Sequence, residues 1–296
     1  MTAVPGEAGA LRQRVARLPE DQRARLVRRL RGGANAVQGE DGWFVRHAAV
    51  DAPELRLFCF PYAGGGGSVF RTWSESLPAG VDLWAAQLPG RESRVGEPAL
   101  RRLDPLVEAL YEAILPLLDQ PYAFFGHSMG ALVAFELTRR LRRAGAPQPS
   151  RLLLAAFRAP QLPNPNIRIH HMPDEVLKTV LRKEGTPPEV LDNVELMRAL
   201  LPMLRADFEL CDTYRYRDEP PVTMPVSVFG GDQDVRVSRG DLGMWRAQAG
   251  GRFRLVMFPG SHFFLHSSQD LLLTEVSREL VVAAHTDEEE GERCHD

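Results

Sequence analysis

The residue best placed to do chemistry in this chain is a serine set between two glycines. Gly126-His127-Ser128-Met129-Gly130 fits the pattern G-x-S-x-G, with a short apolar run at 122–125 before it and a helix-patterned stretch at 131–143 after it. The spacing has a mechanical reason. A serine forced into a tight strand-to-helix turn needs neighbours without Cβ atoms, and its hydroxyl then projects above the sheet. The following helix turns its positive end toward the place where an oxyanion would develop. Ser128 therefore reads as a nucleophile.

A serine hydroxyl is a poor nucleophile until a base removes its proton. On a strand–turn–helix of this kind the partners follow in the chain order Ser, acid, His. Of the eight histidines, His47 and His127 precede Ser128, and His170 and His171 precede the strand that should deliver the acid. His262 lies in Pro259-Gly260-Ser261-His262, directly after the last expected strand, and is the base; His266, one turn later, is the runner-up. The pair His262/His266 has no third ligand and no H-E-x-x-H pattern beside it, so no metal and no cofactor are expected. Gly231-Asp232-Gln233-Asp234 offers two acids. Asp232 adjoins the strand end and has a turn-capping role open to it. Asp234, deeper in the loop and able to curl back toward the His262 turn, is preferred for fixing the imidazole tautomer and stabilising the imidazolium. A tetrahedral intermediate also needs two donors. One is the N–H of Met129; the other should come from Pro61-Tyr62-Ala63-Gly64-Gly65-Gly66-Gly67, whose glycines let an N–H point inward.

Positioning these residues requires a particular frame. Strand-like runs at 55–62, 81–88, 122–125, 151–157, 225–230 and 253–258 alternate with helical patterns at 105–118, 131–143 and 269–284. Such alternation gives a mostly parallel sheet covered on both faces. Between 157 and 225 more than sixty residues carry no convincing strand, and 174–184, 188–193 and 195–214 read as amphipathic helices. That is too long for a plain crossover, so a helical insertion at about 160–222 is expected over one sheet edge. Its apolar faces are Val176, Leu177, Val180 and Leu181 on one helix and Leu196, Leu200, Leu201, Met203 and Leu204 on another.

Both ends look like appendages. Residues 1–42 hold an Arg-rich pair of helical segments broken at Pro19 and then a loop, while 285–296 is an acidic tail expected to be disordered. The fold proper is placed at 43–284. A net charge of −3 argues against nucleic acid as the main partner, no apolar run reaches the roughly 18 residues a membrane span needs, and the N-terminus lacks a signal-peptide core. Cys59, Cys211 and Cys294 are odd in number and scattered, which points to reduced thiols and a cytoplasmic setting.

Five segments together resemble a known family. Phe60-Pro61-Tyr62-Ala63-Gly64-Gly65, Gln87-Leu88-Pro89-Gly90-Arg91-Glu92, Gly126-His127-Ser128-Met129-Gly130, Gly230-Gly231-Asp232-Gln233-Asp234 and Gly260-Ser261-His262-Phe263-Phe264 stand in the order and spacing of type II thioesterases of the α/β-hydrolase superfamily, the editing enzymes of polyketide synthases and nonribosomal peptide synthetases. The likeness covers about 56–280. It implies an α/β-hydrolase fold with a helical lid, a triad of Ser128, Asp234 and His262, and oxyanion donors at Ala63 and Met129. It also implies hydrolysis of acyl groups from the phosphopantetheine arm of acyl or peptidyl carrier domains. Val235 follows Asp234 where the family commonly has proline. The leading forty residues are similar in composition to the first helices of condensation domains. Other functions open to this sequence are a chain-releasing thioesterase, a small-molecule esterase and a non-enzymatic carrier-binding scaffold.

Overall fold

The computed structural model describes residues 37–38, 42–47, 50, 52–163, 168–183, 186 and 188–292, giving backbone alone for 37–38 and 282–292. The Arg-rich segments of the N-terminal extension and residues 293–296 lie outside the described residues. The sheet is built from β1 (Val37–Gln38), β2 (Phe44–Arg46), β3 (Leu55–Phe60), β4 (Val81–Ala86), β5 (Tyr122–His127), β6 (Arg151–Ala155), β7 (Val226–Gly231) and β8 (Phe253–Phe258). Their order is β1-β2-β4-β3-β5-β6-β7-β8, parallel from β4 to β8, with β1 and β2 antiparallel on one edge. The interior strands are apolar almost without alternation because both faces are covered, and β5 and β6 are buried throughout. β1 and β2, two and three residues long, are too short to show a period in the sequence.

Helices α1 (Leu103–Ile114) and α2 (Met129–Arg143) cover one face, burying Leu110, Ile114, Leu132 and Phe135 with Phe58 and Phe124. On the other face Leu272, Val276 and Leu280 of the last helix pack with Phe70, Trp73 and Phe125. The chain runs from β3 to β4 on one side and then returns through α1 to β5 on the other. The carboxyl ends of β3 and β5 thus flank a topological switch point, where open α/β sheets place their ligands. The loop at 61–67 and Ser128 leave from those two ends.

The insertion contains α3 (Asp174–Lys183), α4 (Pro188–Leu191) and α5 (Val194–Asp212). The Asn193 side chain caps α5 by accepting the N–H of Leu196 at 3.0 Å. These helices bury a small core of their own, with Ile169, Leu177, Leu181, Leu191, Met197, Leu204 and Phe208. Val176 is not part of it and stands 43 % exposed, because Leu177 and Leu181 set the buried line of α3. Leu196, Leu200 and Leu201 are half-buried, whereas Met203 and Leu204 are buried. At the far end of the insertion, Glu219 pairs with Arg139 and Arg142 of α2 at 2.9 and 2.8 Å and with Arg143 at 2.6 Å. Burial would raise its carboxyl pKa, but the three guanidinium groups hold it down to about 2.

Short α6 (Arg239–Gly243) and α7 (Phe264–Ser267) precede α8 (Gln269–Glu292). The backbone of α8 continues past 284, so 285–292 are helical where a disordered tail was expected. The run Asp287-Glu288-Glu289-Glu290 contains no helix breaker before Gly291, and glutamate propagates a helix readily. Among the described residues no helix is long and apolar enough to cross a membrane.

Candidate active site

Ser128 sits between β5 and α2 with φ 53° and ψ −120°, a conformation L-residues rarely adopt. Its flanking glycines are required by contact rather than by their own torsions. A Cβ on Gly126 would overlap the Gly130 carbonyl, and a Cβ on Gly130 would overlap the carbonyl of Phe60 at the end of β3. The strain at Ser128 is held in place by its N–H bond to the Ala155 carbonyl of β6, 2.7 Å, and by the first turn of α2, where Ala131 N–H reaches Ser128 O at 2.9 Å.

His262, four residues beyond the end of β8, lies with Nε2 2.9 Å from Ser128 Oγ. Its Nδ1 donates to Asp234 Oδ2 at 2.8 Å. Both side chains are almost fully buried. Burial opposes ionisation of Asp234, but the bond to His262 and the N–H groups of Arg236 and Val237, which donate to Oδ1 at 2.8 and 3.2 Å, together hold its carboxyl below the usual range. Asp232 is engaged elsewhere, its Oδ1 accepting the N–H of Gly260 at 3.0 Å. His266 faces the Tyr62 hydroxyl at 3.0 Å rather than Ser128. Val235 is 81 % exposed, so its side chain leaves the Asp234–His262 contact undisturbed.

The loop after β3 has its amide groups largely accounted for. Gly65 N–H reaches Tyr62 O at 2.9 Å, Gly64 N–H reaches Asp207 Oδ2 at 2.8 Å, and Gly67 N–H reaches Gln87 Oε1 at 3.2 Å. Ala63, by contrast, lines the same cavity as Ser128, Met129 and His262. That cavity holds about 320 Å³, and its lining also includes Leu181 of α3 and Phe208 and Cys211 of α5. A larger groove of about 850 Å³ between β8 and α8, lined by Arg252, Arg254 and Glu279, includes none of the site residues. Among the described residues no group of three or more His, Cys, Asp or Glu side chains is placed to hold a metal ion.

One contributor was not visible in the sequence. His127 is wholly buried, and its Nε2 donates to the His262 carbonyl at 2.9 Å, tying the strand before Ser128 to the backbone of His262. Burial pushes its pKa well down and keeps the ring neutral. In sequence it is only the variable residue of G-x-S-x-G, and its partner is 135 positions away.

Comparison with known proteins identifies the family. The thioesterase-domain family profile matches residues 55–280. The gramicidin S biosynthesis protein GrsT of Aneurinibacillus migulanus is 43 % identical over 239 residues, covering 80 % of this chain and 93 % of GrsT. The type II thioesterase BorB from the borrelidin biosynthetic cluster superposes with a TM-score of 0.75 at 34 % identity, covering 80 % of this chain and 97 % of BorB. RedJ, a thioesterase from the prodiginine pathway of Streptomyces coelicolor, superposes with a TM-score of 0.73 at 38 % identity over 78 % of this chain and 90 % of RedJ. The chain therefore belongs to the thioesterase family, with type II members among its relatives, and is a hydrolase acting on thioesters.

Proposed function

We propose that the protein is an editing thioesterase that clears acyl groups from the phosphopantetheine arm of acyl or peptidyl carrier domains, with Ser128 as nucleophile, His262 as base and Asp234 as the acid that orients it. The observation that carries this reading is the continuous chain Asp234 Oδ2–His262 Nδ1 and His262 Nε2–Ser128 Oγ, 2.8 and 2.9 Å, at the wall of an acyl-sized cavity. His262 takes the proton of Ser128 as Oγ attacks the thioester carbonyl. The oxyanion is received between the N–H groups of Met129 and Ala63, the first at the positive end of α2. Collapse expels the thiolate of the arm, which takes the proton from His262 and leaves an acyl ester on Ser128. Water, deprotonated by His262, then attacks that ester; the acid departs and Oγ regains its proton.

Residues 43–284 form the thioesterase unit in this reading, and the insertion at about 160–222 is its lid, supplying Leu181 and Phe208 as apolar wall for the acyl chain. Cys59 and Cys211 are thiols outside any disulfide, which fits a cytoplasmic setting. Incubation with a panel of acyl-loaded carrier proteins, acyl-CoA thioesters and simple esters, followed by intact mass, tests the reading. Preferential release from carriers is expected. Faster turnover of simple esters than of any carrier-bound thioester would overturn it in favour of a small-molecule esterase.

A further inference from the structure

The segment Pro89-Gly90-Arg91-Glu92 after β4 has no part in the triad, yet its side chains point into the loop at 61–67. Arg91 and Asp207, 5 % and 2 % exposed, form a two-pronged ion pair: Nη2 to Oδ1 at 2.7 Å and Nη1 to Oδ2 at 2.8 Å. Both partners also hold the loop. Arg91 Nη1 donates to Gly65 O at 3.0 Å, and Asp207 Oδ2 accepts Gly64 N–H at 2.8 Å. Nearby, Glu92 accepts from Ser68 N–H at 3.3 Å and from the Ser68 hydroxyl, while Gln87 accepts from Gly67 N–H and donates to Arg91 O. Leu204, one turn before Asp207 on α5, sits over Gly64 so closely that a Cβ there would lie 2.6 Å from its Cδ2. Gly64 also has φ +83°, a conformation open to glycine.

A buried ion pair gives back little net stability over an apolar pair of the same size, because both charges must leave water. What a two-pronged pair supplies is direction. Here the direction is imposed on two consecutive peptide groups, one through its N–H and the other through its carbonyl. We infer that Arg91 and Asp207 are positioning residues that fix the Gly64–Gly65 backbone and so aim the N–H of the preceding Ala63 at the oxyanion. This rests on the reading of Ala63 as a donor given above. It makes α5 a brace of the catalytic loop as well as a wall of the cavity, since Asp207 adjoins Phe208, which lines the acyl space. The helix cannot swing away without releasing the loop.

The test compares wild type with Asp207→Asn and with the apolar double variant Arg91→Met plus Asp207→Leu, which removes both charges together. For each, kcat and KM on an acyl thioester, the inhibition constant of an alkyl boronic acid and the urea midpoint are measured. The boronic acid forms a tetrahedral adduct on Ser128 and reports the oxyanion site directly. The expected result is a fall in kcat of about 30- to 100-fold, a fraction of the loss typical when one such donor is removed outright. KM should stay within about twofold, and boronate affinity should weaken in parallel with kcat. The double variant, which leaves Gly64 N–H and Gly65 O without these partners, should unfold at a lower urea concentration yet stay folded without urea, and there lose kcat and boronate affinity together, which a merely structural role would not produce. Wild-type kcat and boronate affinity in either folded variant would overturn the proposal, as would a loss confined to KM. A wild-type enzyme that the boronic acid does not inhibit would instead overturn the reading of the site on which it rests.

Discussion

Asp232 and Asp234 stand two residues apart on one loop, and the fold gives them different partners: Asp234 meets His262 Nδ1 at 2.8 Å, whereas Asp232 takes the N–H of Gly260 at 3.0 Å. Asp234→Asn should lower kcat roughly 10³- to 10⁴-fold, because an amide in that place favours the wrong imidazole tautomer. Asp232→Asn should keep most activity and cost stability of about 1 kcal/mol or less through a weakened turn. Steady-state kinetics on one acyl thioester and urea unfolding of both proteins check this. Equal kinetic losses, or a worse Asp232 variant, would exchange the assignments.

The nucleophile turn should be intolerant of a single methyl group. Gly130→Ala drives a Cβ into the Phe60 carbonyl, which neither backbone can avoid, so a loss of at least about 2 kcal/mol is expected together with loss of turnover. Gly243→Ala is the control. Its Cβ meets nothing within 4 Å and the residue closes α6, so that variant should match or slightly exceed wild type in urea unfolding. A Gly130→Ala protein of wild-type stability and rate would show that the turn is looser than drawn.

What the sequence made legible was whatever is decided locally. β3 and β5 could be read because burial on both faces leaves runs that are apolar but for Arg56 in β3 and His127 at the end of β5, and Ser128 because its turn writes its needs into Gly126 and Gly130. Chain order and the place after the last strand narrowed the base to His262, with His266 as runner-up, and the acids to Asp232 and Asp234. The deeper loop position favours Asp234 over Asp232 in the sequence, and in the structure its Oδ2 meets His262 Nδ1. The roles of His127, Arg91 and Asp207 stayed hidden for a different reason, although Arg91 belongs to one of the segments that carry the resemblance. Each acts through a partner more than 100 positions away, and alone each is an ordinary polar residue. Val176 misled because apolar residues on a short helix fix a face only to within about 100°. The length of α8 misled because a run of acids is compatible with either a helix or a tail.

The insertion should open unevenly. Amide exchange is expected to be faster in α3 and α4 than in β5, which is buried throughout, with the second half of α5 nearer the strands because Asp207 ties it to the catalytic loop. An acyl phosphonate attached to Ser128 should slow exchange in α3, whose Leu181 lines the cavity. Exchange that is uniformly slow across 174–212 and unchanged by the phosphonate would describe a rigid insertion with no gating role.

Stability should fall as pH drops below about 6.5. Burial lowers the pKa values of His47, His127 and His266 from 6.5. Between the folded and unfolded values the unfolded chain binds more protons, so each histidine's contribution is complete above 6.5 and is lost as pH falls toward the folded value. Asp234, lowered from 3.8, contributes above that value and loses its share only in more acidic solution. Urea midpoints at pH 7.5 and 5.5 should show the lower value at 5.5, with a smaller difference in His127→Gln. A midpoint that is level or higher at pH 5.5 would contradict this account.

The assignment of Ser128 as nucleophile is tested most directly by following an acyl-loaded carrier protein by intact mass with wild type and with Ser128→Ala. Wild type should release the acyl group and, when quenched early, carry one acyl adduct that maps to Ser128. The Ser128→Ala protein should unfold at the same urea concentration, carry no adduct and release the acyl group at least about 10³-fold more slowly. Wild-type turnover in a folded Ser128→Ala protein, or an acyl adduct on any other residue, would contradict the mechanism at its first step.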